Sequence, residues 1–239
     1  MKHRKLNVAS LIVNLTVIIL TAYSVAHNFR QDIIRTPEFV NGGALTDFTG
    51  IDSFRYFTTL SNVFAAIAAA IILVFNVKNV INDEYVFPRW TMVVKHAATS
   101  AVALTFFTVA LFLSPLLVIY GKSYFTLFRG NGFFFHFFLP VLSVVNFILF
   151  EKSPELPFNS TFIALLPTIT YSFVYTIMVA GFKTWPDFYS FTFGERYWAL
   201  PITITAMFAL SYCICTLIYF LRKKSATVNS RRTDTITVS

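Results

Sequence analysis

The chain has 239 residues, of which 56% are hydrophobic and 13% charged, and its formal net charge is +8. This composition is far more apolar than that of a soluble domain, which excludes an ordinary soluble globular fold. The positive charge does not indicate nucleic-acid binding, because the basic residues adjoin apolar segments, where they suit anionic lipid headgroups. We therefore expect membrane lipids, and no nucleic acid, as partners.

Six apolar segments follow one another along the chain, each close to or above the roughly 18 to 20 residues that cross ~30 Å of hydrocarbon as a helix. The ~10-residue alternation typical of barrel strands is not visible. The sequence therefore predicts an all-α, multi-pass protein of the cell membrane with six transmembrane helices. The segments cover residues 8–27, 57–76, 92–120, 132–150, 161–181 and 198–221.

The distribution of Lys and Arg predicts the orientation of these helices. Twelve of the 19 basic residues lie on the side of the two termini, and seven lie on the opposite side. This asymmetry favours cytoplasmic termini. Residues 1–224 are expected to form the transmembrane domain, and the polar residues 225–239 a disordered cytoplasmic tail.

The second segment opens with the polar stretch RYFTTLSN (residues 55–62). Residues three and four apart share a helix face, so Thr58, Ser61 and Asn62 are expected on the same face as the alanines that follow them. This face of polar and small residues should be directed toward the bundle. Such hydroxyls and amides can simply bond neighbouring helices. They can also form part of a functional site, and the sequence leaves both interpretations open.

The fourth segment contains His136 among phenylalanines. An ionisable side chain inside a span is a functional candidate, because it is costly unless it faces the protein interior. Pro140 lacks the N–H that would bond the carbonyl of residue 136, so we expect the helix to open at His136. In an alternating topology, Thr58 and His136 lie at a similar depth near the outer face.

Other polar residues are expected at the same level. They are His27, Asp52 and Glu195, together with the aromatic loop FKTWPDFYSFTF (residues 182–193), which can act as an interfacial lid. His96 belongs to the opposite end of the third segment, beside Lys95, and is interpreted as a snorkelling or interfacial residue.

These stretches carry a resemblance to known families. RYFTTLSN, HFFLP with the following FILFEKSP, and LLPTITYSFVY with WPDFY resemble the bacterial six-pass "Pr-six-Pr" family, over the chain to about residue 221. More distantly, the chain is similar to the androgen-induced family of membrane hydrolases, which cleave fatty acid esters of hydroxy fatty acids. That family's threonine follows an aromatic residue, as Thr58 follows Phe57, and its histidine precedes a proline.

The resemblance implies that Thr58 is a nucleophile and His136 its base, with Thr59 as a second candidate nucleophile. A threonine hydroxyl needs a base within hydrogen-bond reach, and a neutral imidazole can take the proton and return it to the leaving alcohol. The leading hypothesis is a Thr/His hydrolase of lipid esters. The alternative is a non-enzymatic lipid-binding or transport-like protein that uses the same polar groups.

The supporting groups remain open at the level of sequence. Donors to the oxyanion of an attacked ester can come from Ser61, Asn62, Tyr171 or Tyr175. The imidazole can be oriented by His27, Asp52 or Glu195. We find no metal-ligand set and no cofactor motif, so neither a metal nor a cofactor is expected.

Overall fold

The structure, a computed structural model, describes residues 2–34, 49–151 and 154–237, and these ranges contain helices and no β-strand. Six helical spans are long and apolar enough to cross a membrane, which confirms the predicted all-α fold. The orientation of the termini stays a prediction. The spans are Arg4–Arg30, Phe57–Asn82, Arg89–Ile119, Asn131–Leu149, Ser160–Gly181 and Tyr197–Ala226.

The first two spans are single helices, whereas the next three are interrupted. Span one is α1 (Lys2–Ile34) and span two is α2 (Phe57–Asn82). Span three comprises α3 (Arg89–Thr108), a π-helical turn (Val109–Leu113) and α4 (Ser114–Ile119). Span four comprises α5 (Asn131–Phe133), a π-helical turn (Phe134–Phe138) and α6 (Leu139–Leu149). Span five comprises α7 (Ser160–Ala164), α8 (Leu166–Thr176) and a π-helical turn (Ile177–Gly181), and span six contains α9 (Leu200–Thr237).

The centre of the bundle is α3, which packs against spans two, four, five and six. Its middle section, residues 95–105, is buried throughout. Most of these residues are small, which lets the surrounding helices approach closely. The spans therefore surround α3, and α1 packs against α2 and α6 at one side.

Two of the π-helical turns end two residues before a proline. The N–H of Ser114 bonds the carbonyl of Val109, just before Pro115, and the N–H of Leu139 bonds the carbonyl of Phe134, just before Pro140. A proline cannot supply the next helical donor, and a wider turn accommodates the interruption. The expected opening of the helix at His136 is therefore observed.

One end of the bundle brings together the start of α2, the π-helical turn of span four and the loop after span five. We call this the site end. A cavity there is bordered by Asn28, Thr58, Leu113, His136 and Tyr189, which come from five different parts of the chain. The expected common level of Thr58 and His136 is therefore observed.

The opposite end is held by a buried network around Glu151. Its Oε1 accepts hydrogen bonds from Ser10, Asn14 and Asn146 at 2.8 to 3.1 Å. The Nζ of Lys95 donates to Oδ1 of Asn14 at 2.6 Å and lies 3.8 Å from Oε1 of Glu151. The Glu151 carboxylate thus contacts side chains of α1, α3 and α6. We call these five residues the Glu151 network.

His96 is not an interfacial residue, contrary to the sequence-based interpretation. It is fully buried, and its two ring nitrogens lie 3.3 Å from the hydroxyl of Ser160 and 3.0 Å from the carbonyl of Cys215. Its ring also stacks on Phe147. The side chain is held inside because both nitrogens have partners on neighbouring helices.

The last helix extends further than the sequence indicated. The sixth apolar segment ends near residue 221, and residues 225–239 were expected to lack regular structure, but α9 remains helical to Thr237. A polar continuation of a spanning helix can keep its backbone hydrogen bonds outside the membrane. The division between transmembrane domain and cytoplasmic tail stays a prediction.

Candidate functional site

His136 is held by a backbone carbonyl. Its Nδ1 lies 2.6 Å from the carbonyl oxygen of Leu127, which belongs to the 3-10 turn Tyr124–Phe128. A carbonyl can only accept, so Nδ1 carries the proton and the neutral ring keeps the lone pair of Nε2. This contact comes from Leu127 and not from His27, Asp52 or Glu195, the residues considered for it from the sequence.

A glycine permits the approach of the Leu127 carbonyl. A Cβ added to Gly132 would lie 2.3 Å from the Leu127 oxygen and 3.3 Å from Nδ1 of His136. Any larger residue would displace the carbonyl that holds the imidazole. The tight 3-10 turn and Gly132 together fix the ring orientation.

The cavity at the site end has a volume of about 260 Å³, and His136 shares it with both candidate nucleophiles, Thr58 and Thr59. We call it the site cavity. Its wall is completed by aromatic side chains and by polar groups. These additional residues are Asn28, Tyr56, Leu113, Thr126, Leu127, Arg129, Asn131, Gly132, Phe135, Phe188 and Tyr189.

The two threonines differ in their surroundings. Thr59 is 2% exposed, whereas Thr58 is half-buried. Thr58 also borders a second space, of about 30 Å³. We call this space the inner passage. Thr58 therefore borders both spaces, whereas Thr59 borders the site cavity and not the inner passage.

Tyr189 connects the aromatic loop to the start of α2. Its hydroxyl oxygen accepts the N–H of Phe57 at 2.9 Å. Burial raises the pKa of Tyr189 to about 12, although hydrogen bonds with Tyr171, Phe57 and Thr58 partly oppose this shift. The Tyr189 hydroxyl therefore remains protonated at neutral pH beside Thr58. Sequence reasoning missed this residue, although it lies within the WPDFY stretch.

The loop that carries Tyr189 is organised by Asp187. Oδ1 accepts from the hydroxyl of Tyr175 and from the N–H of Phe191, and Oδ2 accepts from the N–H and the hydroxyl of Thr192. Ser190 has a positive φ of 56°, a conformation that is uncommon outside glycine. The carboxylate thus holds a tight turn that places Phe188 and Tyr189 against the cavity.

Ser61 and Asn62 bond neighbouring elements. The Ser61 hydroxyl lies 2.9 Å from that of Thr105 on α3. Asn62 donates one amide proton to the Thr58 carbonyl at 2.8 Å and one to the Phe135 carbonyl at 3.1 Å. Both protons of the amide are engaged, so the helix-bonding interpretation is confirmed for these two residues. Their expected role as oxyanion donors finds no support in these contacts.

The two tyrosines of span five are also engaged elsewhere. Tyr171 donates to the carbonyl of Arg55 at 2.6 Å, and Tyr175 donates to Asp187. Both line the inner passage, and neither is among the residues of the site cavity. As oxyanion donors they would first have to break these bonds.

The three polar residues expected around His136 are not among those that border the site cavity. His27 is on α1 with its ring 6.3 Å from that of Tyr23. Asp52 forms an exposed ion pair with Arg55 at 2.7 Å, and Glu195 is exposed in a turn with a φ of 64°.

Comparison of the chain with protein-family models, with curated proteins and with solved structures found no significant match.

Proposed function

We propose that this protein is an intramembrane hydrolase of lipid esters, in which Thr58 is the nucleophile and His136 the general base. One observation carries the proposal: Thr58 shares the site cavity with an imidazole whose Nδ1 proton is engaged by Leu127. That bond leaves Nε2 as the proton acceptor, which is the tautomer that a base requires. The second nitrogen of a catalytic histidine is commonly fixed in this way.

The reaction would proceed in two steps. Nε2 of His136 takes the proton of the Thr58 hydroxyl while Oγ1 attacks the ester carbonyl carbon. The imidazolium returns this proton to the departing alkoxide, which leaves as an alcohol, and the acyl group remains on Thr58 as an ester. In the second step Nε2 deprotonates a water molecule, which attacks the acyl group. The carboxylic acid is released, and Thr58 regains its proton.

Tyr189 suits the role of oxyanion donor better than the groups considered from sequence. Its hydroxyl accepts the Phe57 N–H, and its raised pKa keeps its own proton in place. A preorganised hydroxyl in a water-poor site stabilises developing negative charge more strongly than one in bulk water. Tyr189 also borders both spaces that Thr58 borders.

The preference for Thr58 over Thr59 follows from access. A nucleophile must meet a carbonyl carbon at about 3 to 3.5 Å, and Thr59 is almost completely buried. Thr58 is half-buried and faces the Tyr189 hydroxyl. Both threonines are nevertheless retained as variants in the test.

The walls of the site favour an amphipathic ester. The inner passage is lined mainly by apolar and aromatic side chains, whereas Asn28, Arg129 and Asn131 border the site cavity. The Arg129 guanidinium and the Asn28 amide N–H groups suit a polar or anionic group at the other side of the ester, whereas the Asn131 amide already donates to the Ser24 carbonyl and to Oδ1 of Asn28. A fatty acid ester of a hydroxy fatty acid fits this class, and the relation to the two families named above stays part of the proposal.

The alternative is a lipid-binding or transport-like protein. Arg129 and Asn28 could hold a lipid headgroup without any chemistry. The test must therefore detect bond cleavage and not only binding.

Hydrolysis is tested by the incorporation of oxygen from water. The purified protein in lipid nanodiscs is incubated with a long-chain fatty acid ester in ¹⁸O-labelled water, and the released acid is analysed by mass spectrometry. We expect one ¹⁸O atom in the carboxyl group of the product. An ester that is bound and recovered intact would contradict the proposal and support the lipid-binding alternative.

Three alanine variants separate the roles within the same assay. His136→Ala should lower the rate by ~10²- to 10⁴-fold, because a positioned base contributes about that factor. Thr58→Ala should abolish turnover, and the double variant should be no worse than Thr58→Ala alone, because nucleophile and base act as a unit. Thr59→Ala is the matched control. Full turnover in Thr58→Ala with loss in Thr59→Ala would move the nucleophile by one residue.

A further inference from the structure

A long groove runs between span two and span five on the surface of the bundle. Its volume is about 510 Å³. Among the described residues, α2 and α8 both pack on α3 and have few contacts with each other. Val93, Val94 and Ala97 of α3 therefore form the floor of the groove.

The groove is apolar and faces the surrounding lipid. Its rim carries large side chains that remain exposed, including Leu60 at 39%, Leu166 at 54% and Val174 at 41%. These residues lie within membrane-spanning segments, so the exposed surface meets hydrocarbon and not water.

The groove is elongated along the helices. On span five its wall runs from Ile163 to Val174, which corresponds to ~16 Å at 1.5 Å rise per residue. This is about half of the ~30 Å hydrocarbon thickness of a bilayer. An acyl chain that keeps its bilayer orientation would therefore lie along the groove.

At the site end of the bundle, the groove adjoins the inner passage that Thr58 borders. Phe57 and Tyr171 line both spaces, and their ring centroids are 5.1 Å apart. Trp185 of the aromatic loop closes the groove at this end. The ring pair therefore separates a lipid-facing groove from the candidate nucleophile.

We propose that this groove binds the acyl chain of the substrate, which arrives sideways from the bilayer. The chain lies between α2 and span five with its ester at the Phe57 and Tyr171 ring pair. Displacement of these rings brings the carbonyl to Thr58, while the polar part of the substrate reaches the Arg129 side of the site cavity. This inference deepens the proposed function and rests on it for the identity of the ester.

Binding is tested independently of turnover by photolabelling. The full-length protein in nanodiscs receives a trace amount of a non-hydrolysable long-chain ether analogue with a diazirine at the end of its chain. We expect labels on groove residues in α3 and span five, and we expect excess unlabelled analogue to remove them. Labels spread evenly over the lipid-facing surface and insensitive to competition would overturn the groove, whether or not the protein hydrolyses esters.

A matched pair of variants tests the groove in turnover. Thr170 lines the groove, and its exposed neighbour Ile169 does not. Thr170→Trp should lower kcat/KM for a long-chain ester at least tenfold, mainly through KM, and should leave a short acetyl ester unaffected. Ile169→Trp should leave both substrates unaffected.

The possible failures are distinguishable. Unchanged long-chain kinetics in Thr170→Trp, in a protein that hydrolyses both esters, would overturn the groove and leave the proposed function standing. An absence of hydrolysis in every variant would overturn the proposed function. The competition experiment would then still decide for or against the groove as a site for acyl chains.

Discussion

Tyr189 is the residue on which the loop, the start of α2 and the candidate nucleophile converge. It accepts the Phe57 N–H and contributes to the wall of the site cavity. A phenol in this position combines a large apolar contact surface with a single polar end that needs a partner. Its protonation state is therefore linked to the integrity of the whole site end.

This link predicts a pH dependence of stability at alkaline pH. An unfolded tyrosine ionises near pH ~10, whereas burial raises the pKa of Tyr189 to about 12. The contribution is fully present below pH ~10 and is lost as the pH rises through the folded value, by up to ~1.4 kcal/mol per pH unit. This effect is measured by the apparent unfolding midpoint in detergent at pH values from about 9 to about 12, a range that includes the pKa of an unfolded tyrosine, ~10.

Tyr189→Phe provides the comparison for this titration. The variant should be less stable than the wild type at neutral pH, because the Phe57 N–H loses its acceptor. Its stability should fall less steeply above pH ~10. Parallel curves for the two proteins would show that Tyr189 does not titrate as described.

At the level of elements, the spans were predictable because their signal is long and continuous. Twenty apolar residues in a row indicate a membrane helix whatever the neighbouring helices are. The opening of span four was also predictable, since Pro140 removes a specific helical donor. The change to a π-helical turn, with the Phe135 carbonyl accepting from Asn62, required knowledge of the adjoining α2.

The partners of the site were less accessible from sequence. Any residue can offer a carbonyl, so nothing identified Leu127 as the group that holds His136. Gly132 was the available signal, because its missing side chain makes room for that carbonyl. The polar side chains His27, Asp52 and Glu195 looked suitable by chemistry and depth alone, and packing placed them elsewhere.

At the scale of the whole bundle, the described residues form one polar cluster at each end. The site end contains the cavity with Thr58 and His136, and the opposite end contains the Glu151 network. Lys95 and Glu151 are 1% and 0% exposed. Lys95 stands inside an apolar segment, a signal that the sequence did provide. We interpret this network as the lock that fixes spans one, three and four at that end.

This interpretation predicts a large loss of stability from one substitution. Lys95→Met should lower stability by ~3 to 5 kcal/mol, because it removes the ammonium group that lies 3.8 Å from the buried Glu151 carboxylate. The double variant with Glu151→Gln should recover part of this loss. Lys78→Met, at an exposed position of α2, is the control and should change little. Thermal unfolding of the purified proteins provides the measurement, and equal effects at the two lysines would refute the lock.

The central claim, that Thr58 is a nucleophile activated by His136, is tested most directly by covalent trapping. The protein in nanodiscs is treated with a long-chain fluorophosphonate, and the modified residue is identified by peptide fragmentation, which separates Thr58 from Thr59. We expect a phosphonate on the Thr58 oxygen in the wild type and its loss in His136→Ala. No adduct, an adduct on another residue, or labelling that persists without His136 would contradict the account.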